Sequence, residues 1–314
     1  MKISVVVPVY FNEASLPPLH QRLAEVAAQV PQSEFEFVFV DDGSADDSFG
    51  VLKDLAARDK RVKVLRLVRN FGSNAAILAG FAHARGDGVA VISADLQDPP
   101  ELIPEMIAKW KAGNPVVLAA RAARRDPWVT RWAGDWFNWL FRRFVFPNFP
   151  TKGFDFFLAD KKVIRVLVEN AGANLYLYGL LLWTGYKPAT ITYTRAERPF
   201  GASRWNLGRK VKYFLDAFVG FSYLPLRFAS VIGIVFAILG FLYAAFLVLL
   251  RIFWGFPVEG WTSLMVVLLI VSGLQLVMLG ILGEYVWRNL DEARRRPLYL
   301  IGETLGLNDD RSRE

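Results

Sequence analysis

Phe35-Glu36-Phe37-Val38-Phe39-Val40, followed at once by Asp41-Asp42-Gly43-Ser44, is the stretch that decides the fold class. Its first half is a short run of strand formers with the hydrophobicity of a buried strand, and its second half is a polar turn at the carboxyl end of that run. The same pattern recurs through the first 120 residues. Ile3 to Val7, Val62 to Leu67, Val89 to Ile92 and Val116 to Leu118 read as further buried strands, separated by helical stretches near 14–29, 46–58, 73–84 and 101–112. This alternation predicts an α/β domain built on a parallel, doubly wound sheet. Ligands of such sheets bind at the carboxyl ends of the strands. Here those ends carry Pro8-Val9-Tyr10, Asp41-Asp42-Gly43-Ser44, Arg69-Asn70-Phe71-Gly72 and Ser93-Ala94-Asp95-Leu96-Gln97-Asp98.

The rest of the chain has a different character. Of its 314 residues 54% are hydrophobic, more than a soluble domain of this size needs, so part of it is expected in lipid. Phe228 to Leu250 and Trp261 to Gly283 each run 23 residues without a charge, enough to cross about 30 Å of hydrocarbon. Arg227 precedes the first span and Arg288, Arg294, Arg295 and Arg296 follow the second, which puts both ends of the hairpin in the cytoplasm. Within the spans Gln275 is the one strongly polar side chain, suited to packing against a neighbouring helix or subunit.

Two segments before the spans suit the membrane surface. Residues 131–146, RWAGDWFNWLFRRFVF, carry three Trp and four Phe beside three Arg, as an interfacial helix requires. Residues 204–218 place Leu207, Val211, Phe214, Leu215 and Phe218 on one helical face. The expected organisation is a cytoplasmic α/β domain over 1–204, an amphipathic linker over 205–225, the hairpin over 226–284 and a basic tail over 285–314. The +7 net charge is concentrated beside these apolar and aromatic segments, which suits phosphate-bearing substrates and anionic lipid. No helix-turn-helix, zinc-finger or RNP pattern is present, so nucleic acid is not an expected partner. The absence of cysteine excludes disulfides, thiolate metal sites and cysteine nucleophiles.

Four motifs in order carry a family resemblance: Val5-Val6-Val7-Pro8-Val9-Tyr10 with Asn12-Glu13, Asp41-Asp42-Gly43-Ser44, Arg69-Asn70-Phe71-Gly72, and Ala94-Asp95-Leu96-Gln97-Asp98-Pro99-Pro100-Glu101. Together they resemble the family 2 glycosyltransferases of the GT-A fold, a Rossmann-like, mainly parallel architecture. Within that family the chain is most similar to the polyprenyl-phosphate branch, which includes bactoprenol glucosyltransferases and dolichol-phosphate mannosyltransferases. The resemblance runs on through the hairpin to Arg295-Arg296-Pro297-Leu298-Tyr299.

The resemblance implies roles. Pro8, Tyr10, Glu13, Asp41, Asp42 and Arg69 would hold the nucleotide sugar, with Gly43 letting the backbone come close. Asp95 and Gln97 would meet Mg²⁺ or Mn²⁺ bridging the donor diphosphate. Ser93 stands where the family often has the first Asp of an Asp-x-Asp pair, which removes one carboxylate from the metal site. Asp98 reads as a turn residue ahead of Pro99-Pro100. Arg121, Arg131, Ser203 and Arg204 would bind the lipid phosphate, Arg204 replacing the family's usual Lys. Arg195 and Arg198 belong to the same basic stretch, and Arg198 and Asp155 join Asp95 as catalytic candidates. His20 and His83 lie in helical segments away from these motifs and read as structural.

The implied reaction is inverting transfer of a sugar, with glucose from UDP-glucose the leading choice, to polyprenyl (undecaprenyl) phosphate at the cytoplasmic leaflet of a bacterial inner membrane. Association of hairpins would give a homo-oligomer. A processive polysaccharide synthase would share the nucleotide-binding half but needs more spans and a Gln-x-x-Arg-Trp motif, whereas Gly201 stands at the Gln position before Arg204-Trp205. A nucleotide- or lipid-binding pseudoenzyme is the other alternative, and Ser93 is the residue that favours it.

Overall fold

The computed structural model describes residues 1–123, 139, 142–147, 153–196, 199–200, 219–254 and 260–307. Its chain divides into two compact units, one formed by residues 1–217 with 297–314 and the other by residues 218–296.

The first unit is an eight-stranded sheet among helices. In chain order it contains β1 (Lys2–Val9), α1 (Leu16–Ala28), β2 (Glu34–Asp41), α2 (Ser48–Arg58), β3 (Val62–Leu67), α3 (Ser73–His83), β4 (Gly88–Val91), α4 (Ile103–Lys111), β5 (Val116–Ala123), β6 (Phe154–Asp160), α5 (Lys161–Glu169), α6 (Leu177–Trp183), β7 (Ala189–Thr194) and β8 (Ile301–Leu305). The strands lie in the order β7-β5-β6-β4-β1-β2-β3-β8. β1 pairs in parallel with β2 and β4, and β2 with β3, in register from Val9 opposite Asp41 to Asp41 opposite Arg66. That register brings the carboxyl ends of the first strands to one edge.

Two layers of apolar side chains hold this frame. Val5, Val7 and Val9 join Leu16, Leu19 and Leu23 of α1 and Phe37 and Phe39 of β2 in one core cluster, all without exposed surface. Truncating a phenylalanine buried in this way costs about 3–5 kcal/mol. On α3 the small residues Ala75, Ala76, Ala79 and Gly80 are buried, which lets the helix lie close on the sheet. A Cβ added at Gly80 would come within 2.3 Å of Val6 Cγ1.

The strands and helices expected over the first 120 residues all form, and the mainly parallel α/β architecture is borne out. The sheet also departs from the purely parallel expectation. β6 runs antiparallel to both β4 and β5, and β8 runs antiparallel to β3. Six strands therefore point one way and two the other. Their sequences explain why a local reading passed over them: Phe154-Asp155-Phe156-Phe157 is a short run next to an aromatic stretch, and Ile301-Gly302-Glu303-Thr304-Leu305 has too little apolar content to stand out. Residues expected as a basic tail over 285–314 are divided instead. Up to Ala293 they extend the second long helix, and residues 301–305 are an edge strand of the eight-stranded sheet.

The second unit contains α7 (Leu224–Trp254) and α8 (Trp261–Ala293). Both outrun the expected spans of 228–250 and 261–283, because helical hydrogen bonding continues past the apolar core into polar sequence. At the end of α8 an i,i+4 pair between Arg288 and Glu284, at 2.8 Å, supports that extension. Large apolar side chains such as Phe241, Phe253, Trp261 and Leu269 are exposed along these helices, and the stretches Leu224–Leu250 and Ser263–Ala293 are long and apolar enough to cross a membrane. Of the expected interfacial helix only Trp139 and residues 142–147 are described, with the Trp139 and Phe144 rings meeting edge to face at 6.4 Å. The amphipathic stretch 204–218 lies outside the described residues.

Candidate active site

At the end of β1 the chain turns sharply. Phe11 takes a left-handed conformation (φ 58°), its N–H donates to Ser44 Oγ at 3.1 Å, and the Asn12 side chain accepts from Tyr10 N at 3.0 Å. The Tyr10 ring meets that of Phe11 edge to face. Glu13 does something the sequence did not suggest. Its Oε2 accepts from Asp47 N at 2.9 Å, just before α2, so its carboxylate ties the loop after β1 to the loop after β2.

Both carboxylates of the Asp41-Asp42 pair are buried. Asp41 is fully buried, with Oδ1 accepting from Ser44 N at 3.1 Å and Oδ2 3.5 Å from Arg66 Nε. Burial raises its pKa despite the Ser44 hydrogen bonds. Asp42 uses both oxygens on the next loop, accepting from Phe71 N at 2.7 Å and Gly72 N at 2.9 Å. Burial is the main cause that pushes Asp42 up to about 6, the two backbone donors opposing it and the Asp41 charge adding to it. Gly43 (φ 68°) permits a close approach, but to protein: a Cβ there would lie 2.6 Å from the Arg69 carbonyl carbon. Asp42 and Gly43 therefore build the Arg69–Gly72 loop. Arg69, exposed, stacks its guanidinium over Phe71 at 4.7 Å. Pro8, at the end of β1 opposite Val40, is half-buried.

Beyond β4 the loop 93–98 carries the predicted metal residues. Asp95 is buried, and its Oδ1 accepts from Gln97 N at 3.2 Å across Leu96, which is left-handed at φ 61°. A buried leucine in that conformation is strained, and strain of this kind is held by its surroundings at functional loops. Gln97 Nε2 donates to Ala196 O at 3.1 Å, so its carbonyl oxygen is the end suited to a cation. Among the described residues no three carboxylate or imidazole side chains converge as a self-sufficient metal cage. One buried carboxylate and one amide oxygen fit a hard cation that completes its shell with phosphate and water.

The far half of the sheet adds charges that sequence reasoning placed only in part. Arg121 of β5 and Asp155 of β6, on neighbouring strands, form a close ion pair. The expected lipid-phosphate cation and the expected catalytic carboxylate are thus partners. Asp98, read as a turn residue, is fully buried and accepts a hydrogen bond from the Tyr193 hydroxyl. Burial and the Asp98 charge push that hydroxyl's pKa upward, keeping it a donor. Arg195 lies between two carboxylates, with Nη2 3.7 Å from Asp95 Oδ2 and Nε 3.6 Å from Asp98 Oδ1. The signal for Tyr193 was the alternation of Ala189-Thr190-Ile191-Thr192-Tyr193-Thr194, which marks a strand but not the loop it meets. Arg131, Arg198, Ser203 and Arg204 lie outside the described residues. His20, bonded to Asp59 at 2.9 Å, and His83, bonded to Ala79 O at 2.8 Å, keep the structural roles expected of them.

Residues 4–172 match glycosyl transferase family 2. The chain is 39% identical over 312 residues to an uncharacterized glycosyltransferase of Bacillus subtilis (strain 168), covering 99% of this chain and 96% of that one. It is 38% identical over 302 residues to the bactoprenol glucosyl transferase of Shigella phage SfV, covering 96% and 98%. Among solved structures, glucosyl-3-phosphoglycerate synthase from Mycobacterium tuberculosis is similar at a TM-score of 0.49 and 18% identity, over 69% of this chain and 79% of that one. A family model over more than half of the chain, together with relatives matched over nearly its whole length, makes this chain a glycosyltransferase, a member of glycosyl transferase family 2.

Proposed function

We propose that this protein transfers a single sugar, glucose from UDP-glucose in the leading assignment, to polyprenyl phosphate at the cytoplasmic face of a bacterial inner membrane. The observation that carries the reading is the return of the chain to its own sheet. β8, after the two long apolar helices, pairs with β3, so both connections of the helical pair lead to the same catalytic unit. An even number of crossings satisfies that connectivity. Relatives named bactoprenol glucosyl transferase match over the helical pair as well as the sheet, which supports a lipid-phosphate acceptor.

In this reading a phosphate oxygen of the lipid attacks the anomeric carbon while the bond to the nucleoside diphosphate breaks, and the configuration inverts. A phosphate monoester is already largely ionised near neutral pH, so alignment and charge stabilisation supply most of the acceleration. Tyr10 and Arg69 contact the nucleotide on loops fixed by Asp41, Asp42 and Glu13. Asp95 and Gln97 would hold Mg²⁺ or Mn²⁺, which would supply positive charge to offset the donor diphosphate. Arg121, oriented by Asp155, and Arg131, Arg198, Ser203 and Arg204 receive the lipid phosphate and offset the repulsion between two anions.

Purified full-length protein incubated with labelled nucleotide sugars and polyprenyl phosphate tests this. A lipid-linked monosaccharide is expected. Long polymer would point to a synthase, and binding without turnover to a scaffold; either result overturns the proposal.

A further inference from the structure

Asp98 has no part in the reaction just described, yet it is the buried carboxylate around which the far side of the site is assembled. It has no exposed surface, and its Oδ1 meets both the Tyr193 hydroxyl and, at 3.6 Å, Arg195 Nε. An ionised carboxylate in such a place is sustained only by partners. Here both partners come from the end of β7.

That end is tied to the same loop through its backbone. Ala196 N donates to Gln97 O at 3.0 Å, and Gln97 Nε2 donates back to Ala196 O at 3.1 Å. Arg195 is thus held by its neighbour on one side, by Tyr193 two residues earlier and by its own side chain, all against residues 97 and 98. Its side chain keeps 28% exposure although Asp98 keeps none. A guanidinium offers five N–H donors in a planar fork. When the Nε edge is oriented by a buried carboxylate, the Nη edge serves a second anion with little loss of rotamer freedom.

The second anion now facing that edge is Asp95, with Oδ2 3.7 Å from Nη2, too long for a hydrogen bond. Asp98 Oδ2 and Arg195 Nε are both buried without a hydrogen-bond partner, so a small shift of the guanidinium would tighten it on Asp98. Catalytic contacts often tighten only when ligand is bound.

We propose that Asp98 is a positioning residue which, with Tyr193, holds Arg195 as the protein's own cation for the diphosphate of the nucleotide donor. This rests on the reading that the carboxyl edge of the sheet binds a nucleoside diphosphate. Arg195 is the group that touches the ligand, and Asp98 acts through it.

The test is calorimetric titration of the full chain in detergent with UDP and with UMP, for the parent, Arg195→Ala, Asp98→Asn and the double variant. The parent is expected to bind UDP more tightly than UMP. Arg195→Ala should lose about ten- to hundredfold in UDP affinity, the range for a hydrogen bond to a charged group, with UMP affinity unchanged. Asp98→Asn should show the same selective loss, and the double variant should be no worse than Arg195→Ala. Additive losses, a parallel fall in UMP affinity, an unchanged UDP affinity, or a parent that binds UDP no better than UMP each overturn the proposal. If Asp98→Asn does not fold, the near-isosteric Tyr193→Phe decides: a selective loss of UDP affinity supports the proposal and an unchanged affinity overturns it. A parent that binds UDP but transfers no sugar sinks the transfer reading alone.

Discussion

At the scale of single residues, the acidic loops divide into side chains that build the site and side chains that work in it. Asp95 belongs to the second group. Asp95→Asn is expected to lower sugar transfer by about 10²–10³-fold, the range for removing one electrostatic contact to a transition state, and transfer at the parental rate would refute the metal assignment. Asp42 belongs to the first group, and pH reveals it. Its folded pKa of about 6 lies above the ordinary carboxylate value, so the folded state binds the extra proton. The stability it contributes is fully present below the unfolded pKa and is lost as pH rises through about 6. Asp42→Asn should therefore flatten the fall in unfolding free energy between about pH 4 and 6, measured by denaturant titration. Gly43→Ala should cost about 1–3 kcal/mol in the same assay, because its φ is left-handed and its Cβ would meet the Arg69 backbone. Sequence alone identified Asp41, Asp42 and Gly43 as a motif. Their support of the Arg69–Gly72 loop was not legible there, because that loop is nearly thirty residues away along the chain.

At the scale of elements, β8 has the most consequence for its length. It covers the edge of β3, Leu300 O accepts from Val68 N at 3.0 Å at the start of the Arg69–Gly72 loop, and Glu303 pairs with Lys53 of α2 at 3.0 Å. An uncovered β3 would present a row of unpaired backbone groups next to the nucleotide loop. Truncation after Tyr299 is expected to lower the melting temperature of the catalytic unit by several degrees and to weaken nucleotide binding, both measurable on purified protein. A truncated chain with parental melting and binding would show that β8 is dispensable. Only the partner strand makes this segment legible as β structure. By composition it is the end of a charged tail.

At the scale of the whole molecule, chain connectivity makes a topological prediction. Residues 1–217 and 297–314 form one unit around the inserted residues 218–296. Reporters fused to the two termini should therefore report the same side of the membrane, in the cytoplasm. Reporters on opposite sides would exclude a two-span hairpin.

The sequence by itself determined what depends on local order: the strand and helix alternation, the apolar spans, and the four motifs whose succession marks the family. These are readable because the hydrophobic period and turn chemistry act between residues close in the chain. Only the tertiary structure decided how distant charges are shared. It placed Asp42 under the Phe71 and Gly72 amides, Arg121 against Asp155, and Arg195 between Asp95 and Asp98, and it turned Asp98 from a turn residue into a buried anchor. The physical reason is that a buried carboxylate must find its donors and cations wherever the sheet order brings them, and β7 and β8 reach their neighbours only after the chain has folded.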